Sequence, residues 1–209
     1  MAHPLRPIAD RLGRTVARTG VSPDALTWAS LFVAALATWL LGTGRFLVAP
    51  FVFAVAASLD FLDGAVARTN GTVTAAGGYL DSLIDRYVDF LVVFGLMFAL
   101  DEPRGWIVGA IALFGVLMTS GAKWRVHEVL HPTDEEWGGR DLMERTERYL
   151  LVLPLVLLQG IFDHFDPLSW DLIWVALLGL AVLSNLTVVQ RIRKARRILR
   201  AHDRAAAKP

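Results

Sequence analysis

The chain has 209 residues, is 55% hydrophobic, carries a formal net charge of +1 and contains no cysteine. A mean hydropathy of +0.47 is too apolar for an ordinary soluble domain and predicts a single membrane domain of several spanning helices. The absence of cysteine excludes disulfides and thiolate metal sites, so any metal takes oxygen or imidazole ligands.

The N-terminal segment, residues 1–22, is polar and basic and has no apolar core of a cleavable signal peptide. Within it Leu5, Ile8, Ala9, Leu12 and Val16 recur at helical spacing, with Arg6, Arg11, Arg14 and Arg18 on the remaining faces. This pattern predicts a short amphipathic helix over 5–18 lying in the headgroup plane of an anionic membrane. Pro4 and Pro7 weaken its first turn, and a basic tail is the competing reading. Ser22-Pro23 is a helix start, with serine as N-cap and proline where its missing N–H is harmless. Spans are then predicted at about 25–41, 46–66, 77–100, 106–129, 142–162 and 170–189, each suiting the ~20 residues that a bilayer needs. The third is underrated by hydropathy because it carries aspartates. A basic tail, 191–209, follows the six-helix membrane domain, 23–190. The fold class is therefore all-α integral membrane, with six transmembrane helices preceded by a short interfacial helix. Nearly all lysines and arginines fall on the side of the N-terminus, with Arg45 and Arg104 opposite. The positive-inside rule predicts a multi-pass protein of the cell membrane with both termini in the cytoplasm.

The second and third spans meet in a dense acidic stretch. Asp60 and Asp63 stand three apart and share one helix face; Asp81, Asp85 and Asp89 stand four apart and share another. A carboxylate at a helix centre in a membrane costs roughly 2.5–3.5 kcal/mol, and several facing one another repel unless cations sit between them. A set built only from carboxylates suits the hard ions Mg2+ or Mn2+, and two such ions clamp a phosphate. Gly64 and Gly77 leave room for a close approach, Ala67 is small, and Arg68 is suited to a phosphate. Residue types alone leave a second reading open: the aspartates of an ion pathway in a cation-coupled transporter, with Arg68 and Arg86 as their neutralising partners and the glycines as packing contacts.

The spacing Asp60-x2-Asp63-Gly64-x2-Ala67-Arg68-x8-Gly77-x3-Asp81-x3-Asp85 resembles, at every fixed position, the signature of the CDP-alcohol phosphatidyltransferase family. The six-span topology with cytoplasmic termini also matches that family, so the resemblance covers nearly the whole chain. It implies an integral membrane enzyme that moves a phosphatidyl-type group from a CDP-linked lipid to an alcohol and releases CMP. By the resemblance Asp60, Asp63, Asp81 and Asp85 hold a pair of Mg2+ or Mn2+ ions, with Asp85 as the base. Gly64, Ala67, Arg68, Gly77 and Thr27 shape the donor site, and the active site faces the cytoplasm. It further implies a homodimer among membrane lipids and no nucleic-acid partner. Pro23-Asp24-Ala-Leu-Thr27 departs from the Pro-Asn-x-x-Thr of many relatives by Asp for Asn. Asp89 lies outside the signature and reads as an interfacial or helix-pairing charge.

The acceptor is read elsewhere. Ser120 and Lys123 share a face at the end of the fourth span, the fifth opens Glu144-Arg145-Thr146-Glu147-Arg148, and the sixth ends Gln190-Arg191. Ser120, Lys123, Arg148 and Arg191 are the residues assigned to a basic pocket for a phosphorylated alcohol; the competing reading is a belt of lipid-headgroup contacts. The pattern is similar to the inositol-phosphate-using branch of the family, in which many members have Pro where Thr146 stands. It implies inositol 1-phosphate, with glycerol 3-phosphate as the alternative.

Overall fold

The computed structural model describes residues 13–130, 137–165 and 171–206, without the side chains of 123–125, 127–129 and 206. Among the described residues the chain forms six long helices: α1 (Pro23–Gly42), α2 (Ala49–Asn70), α3 (Ala75–Leu100), α4 (Pro103–Leu130), α5 (Arg145–Phe165) and α6 (Leu172–Ala206). A short helical segment, 13–17, precedes them, and no strand occurs among the described residues. The rest of the predicted interfacial helix, 5–12, lies outside the described residues.

Each helix is bounded by the chemistry the sequence shows. Ser22 Oγ accepts from the Ala25 N–H at 3.3 Å and Pro23 opens α1. Gly71 ends α2 in the left-handed conformation, φ 65°, where its N–H reaches the Ala67 and Arg68 carbonyls. Asp101 takes φ 42° in the turn between α3 and α4, a conformation aspartate tolerates better than bulkier residues. Glu144 donates its N–H to Glu147 Oε2 at 3.1 Å, one half of a capping box, and this sets the start of α5 at Arg145 rather than at Leu142. At the other end α6 continues past Gln190 to Ala206 without a break. Residues 191–206 hold no glycine or proline and are rich in Arg and Ala, both good helix formers, so the basic segment expected as a tail extends the last helix.

Two compact units divide the chain within α3, between Gly95 and Leu96. In the first, α1 packs along α2, and its buried stripe of small and apolar residues includes Ser30, Ala34, Ala37 and Leu41. Gly13 in the leading segment is buried; a Cβ there would come 2.8 Å from the Ala65 Cβ, so only glycine lets this segment lie on α2. Thr38 Oγ1 is 3.1 Å from the Leu91 carbonyl of α3. In the second unit α6 packs on both α4 and α5. Asn185 of α6 donates to the Ile111 carbonyl of α4 at 3.0 Å, and Gly115 makes the approach possible, since a Cβ there would lie 2.5 Å from Asn185 Nδ2.

The opposite helix faces are apolar and exposed. Trp28, Phe32, Leu36 and Trp39 follow one another along α1, and Val175, Leu178, Val182 and Leu186 along α6. Apolar stripes of this length suit lipid rather than water. Five of the described helices are long and apolar enough to cross a membrane. α3, with Asp81, Asp85, Arg86 and Asp89, is not among them, as its aspartates lead one to expect.

The α4–α6 contact makes a graded prediction. Gly115→Leu should cost about 1–3 kcal/mol by overpacking against the Asn185 backbone, whereas Asn185→Leu should cost nearer 0.6 kcal/mol, a typical interhelical hydrogen bond in a membrane. Unfolding of the purified protein in mixed micelles measures both; equal losses would count against the close approach at Gly115.

Candidate active site

The signature residues meet where α2 and α3 face one another. One carboxylate oxygen each from Asp60, Asp63 and Asp81 lies within 4.8 Å of the others. Asp63 is the deepest, 5% exposed, and a buried carboxylate needs a donor. Thr27 of α1 supplies it, donating its hydroxyl to Asp63 Oδ2 at 2.5 Å. Three convergent carboxylates with no nitrogen or sulfur donor among them fit a hard cation such as Mg2+ or Mn2+. Asp85, one turn further along α3, is not part of this set of three. It is half-buried, with Oδ2 at 3.9 Å from the Arg86 guanidinium, which also stands 3.5 Å from the buried Asp89. Asp89 thus pairs with Arg86 of its own helix.

A cavity of about 640 Å3 opens beside the carboxylates. All five residues expected to shape the donor site, Thr27, Gly64, Ala67, Arg68 and Gly77, line it. The glycines have local reasons. A Cβ on Gly64 would stand 3.2 Å from Arg68 Nη1, and one on Gly77 would stand 3.2 Å from Thr74 Oγ1. Thr74 accepts from the Gly77 N–H at 3.0 Å, so it caps α3, whose first turn faces the cavity through Gly77 and Gly78. A helix N-terminus with an arginine opposite suits a phosphate group. Sequence reasoning left Asp24 aside because it departs from the family pattern, yet Asp24 also lines this cavity. It passed over Thr72 and Thr74 as well. The Thr-x-x-Gly capping spacing at α3 was the signal available for Thr74.

In the second unit, Arg148 of α5 and Arg191 of α6 are both 7% exposed and converge on Thr119 of α4. Arg148 Nη1 donates to Thr119 Oγ1 at 3.4 Å, and Arg191 Nη1 to the Thr119 carbonyl. Ser120, the neighbour singled out from sequence, is half-buried and sits about 100° further round the helix. The Lys123 side chain lies outside the described residues. The loop before α5 supplies a partner that sequence reasoning did not assign: Asp141 takes Arg191 Nε at 2.7 Å and Lys194 Nζ at 2.8 Å. Burial pushes the Asp141 carboxyl up, but the Lys194 hydrogen bond, the Arg191 and Lys194 charges and the Trp137 N–H outweigh it and hold it below the ordinary carboxylate range.

A multi-pass helical membrane protein with convergent carboxylates beside a cavity that offers an arginine and a helix N-terminus suits phosphorylated lipids. The model of the CDP-alcohol phosphatidyltransferase family matches residues 20–186, and the chain is a member of that family and an enzyme of its class. Archaetidylinositol phosphate synthase of Pyrococcus horikoshii is 31% identical over 190 residues, covering 91% of this chain and 92% of that one. Phosphatidylinositol phosphate synthase of Mycolicibacterium smegmatis is 34% identical over 202 residues, covering 91% of this chain and 83% of that one. The crystal structure of Mycobacterium tuberculosis phosphatidylinositol phosphate synthase with manganese and citrate superposes with a TM-score of 0.74 at 28% identity, covering 90% of this chain and 88% of that one. The same enzyme with CDP-DAG bound gives 0.72, again at 28% identity, covering 90% and 94%.

Two predictions follow from the two clusters. Thr27→Val removes the donor to a buried carboxylate, so divalent-metal affinity should fall about 10–100-fold, the usual cost of losing a partner behind a ligand; metal titration of the purified protein reads it, and unchanged affinity counts against Thr27 as that partner. Asp141 has a depressed folded pKa, so its stabilising contribution is present above the unfolded value of about 3.9 and lost as pH falls through the folded value. The melting-temperature gap between wild type and Asp141→Asn should therefore stay flat from about pH 7 to about pH 5 and close below about pH 4.

Proposed function

We propose that the protein transfers a phosphatidyl-type group from CDP-diacylglycerol or CDP-archaeol to inositol 1-phosphate and releases CMP. The observation that carries this reading is similarity over some nine-tenths of the chain to synthases of inositol-phosphate lipids, together with two buried arginines meeting at Thr119. Divalent cations held by Asp60, Asp63 and Asp81, with Asp85 completing the set, neutralise the pyrophosphate of the donor when bound.

The chain's own residues do the rest. Arg68 and the N-terminus of α3 hold the donor's phosphates in the cavity, and Gly64, Ala67 and Gly77 keep side chains out of their way. Asp85 takes the proton from the acceptor hydroxyl. That oxygen forms a bond to the lipid-bearing phosphorus, the bond from this phosphorus to the CMP oxygen breaks, and CMP leaves with the electron pair. Arg148 and Arg191, with Ser120 and Lys123, bind the acceptor's own phosphate. Its negative charge is what an unphosphorylated alcohol lacks. We place the enzyme in the cell membrane as a homodimer with both termini and the active site on the cytoplasmic side; the lysine and arginine distribution supports the orientation, and the family resemblance supports the dimer.

CMP release from CDP-diacylglycerol or CDP-archaeol by the purified enzyme, with inositol 1-phosphate, glycerol 3-phosphate, inositol and serine compared, tests this reading. We expect metal-dependent release with inositol 1-phosphate well above the others. Preference for glycerol 3-phosphate would keep the basic pocket and change its ligand. Metal-dependent solute flux with no CMP formed from any acceptor would return the protein to the transporter reading. Within the same assay Asp85→Asn should lose turnover more than donor binding, whereas Asp60→Asn and Asp81→Asn should lose metal-dependent donor binding; full activity in Asp85→Asn would sink the base assignment.

A further inference from the structure

Asp141 holds together more of the second unit than any other single acid among its described residues. Its side chain is 1% exposed, and each oxygen meets a different cation of α6. Oδ2 takes Arg191 Nε at 2.7 Å and lies 3.4 Å from Trp137 Nε1; Oδ1 takes Lys194 Nζ at 2.8 Å. The two cations spend their donors differently. Lys194 also donates to the Gly139 and Arg140 carbonyls at 3.1 and 3.3 Å, so all its polar contacts go to the loop. Arg191 uses Nε on Asp141 and Nη1 on the Thr119 carbonyl, and neither contact involves Nη2. Leu142 adds a backbone tether, its N–H donating to Gln190 Oε1 at 2.9 Å.

Two buried guanidinium groups that meet at one residue repel each other, and a flexible arginine relieves that repulsion by swinging away. Asp141 opposes the swing. It grips Arg191 at Nε, the innermost nitrogen, which fixes the plane of the group and leaves the outer Nη2 edge available. A planar guanidinium fixed in this way is preorganised, so little freedom remains to be lost when a phosphomonoester arrives. We infer, on the acceptor reading above, that Asp141 is a positioning residue: by holding Arg191 at Nε beside Arg148, it presets the pair that grips the acceptor's phosphate. The competing role is a mere staple, in which Asp141 and Lys194 together hold the 137–144 loop to α6 and Arg191 is incidental.

The experiment compares Asp141→Asn, Lys194→Gln and Arg191→Ala in the purified full-length enzyme, with KM read for inositol 1-phosphate and for CDP-diacylglycerol. Positioning predicts that Asp141→Asn raises the acceptor KM about ten-fold, the scale of one charge-assisted contact, with donor KM within about two-fold. Lys194→Gln cuts the other tether of the same loop and should leave both values within about two-fold. In addition, inositol 1-phosphate without donor should raise the melting temperature of wild type and of Lys194→Gln but not of Asp141→Asn. Parallel losses in Asp141→Asn and Lys194→Gln, or equal effects on the two substrates, establish the staple and overturn the inference. Arg191→Ala separates the two layers of the claim. An unchanged acceptor KM there rejects the pocket itself, whereas a rise there with none in Asp141→Asn rejects positioning alone. Should Asp141→Asn fail to accumulate as folded protein, Asp141→Glu, which keeps the charge and displaces it by one methylene, is judged by the same criteria.

Discussion

Repulsion among the carboxylates of Asp60, Asp63 and Asp81 is the constraint around which the first unit is built. At separations up to 4.8 Å, each pair of charges costs about 3–4 kcal/mol at the effective dielectric usual for protein sites. Nothing in the hydrocarbon outside relieves that. The Thr27 hydroxyl at Asp63 is a neutral donor, which satisfies a lone pair and leaves the charge in place. Divalent cations reverse the sign of the problem, since every carboxylate then attracts what lies between them. Such a cluster in an otherwise apolar stretch fits hard divalent cations, and ions of that kind are suited to neutralising phosphate groups.

The packing follows from the same requirement. Three acidic side chains can converge only if the backbones that carry them are held close, and the first unit achieves this with small residues. Gly13 lies on Ala65, one residue from Gly64, and the α1 stripe through Ala34 and Ala37 is fully buried. In lipid, such close contacts carry helix association in place of the hydrophobic effect. Glycine here serves two ends. At Gly13 it brings elements together; at Gly64 and Gly77 it leaves room over the cavity.

Much of this was legible in the chain itself. Six helices follow from apolar runs of the right length, and the residues that line the cavity beside Asp63 and Asp81 follow from the resemblance to a family signature. What escaped was contact across long sequence separations. Thr119 touches Arg148 29 residues away, and Asp141 touches Arg191 50 residues away; neither pair leaves a periodic trace. Helical spacing pairs Ser120 with Lys123 and leaves Thr119 unmarked, because spacing fixes which residues share a face, not which face turns inward. Asp24 was set aside by comparison with a family pattern, whereas the cavity wall includes it. The arginines after Gln190 read as a tail beyond the last span, yet charge that argues against a membrane span does not argue against a helix, and α6 runs on to Ala206.

The two buried polar clusters differ in sign, and that difference links structure to chemistry. Around Asp60, Asp63 and Asp81 three acids converge, a set that fits divalent cations. Around Thr119 arginines gather instead: Arg148 and Arg191 meet there, and Asp141 joins Arg191 to Lys194. On the proposed acceptor reading, a phosphate joins the two arginines. A phosphorylated alcohol brings that anion and a reactive hydroxyl in one molecule, whereas serine or free inositol brings no phosphate. On that reading, discrimination rests on the phosphate and on an Arg191 already held at Nε by Asp141.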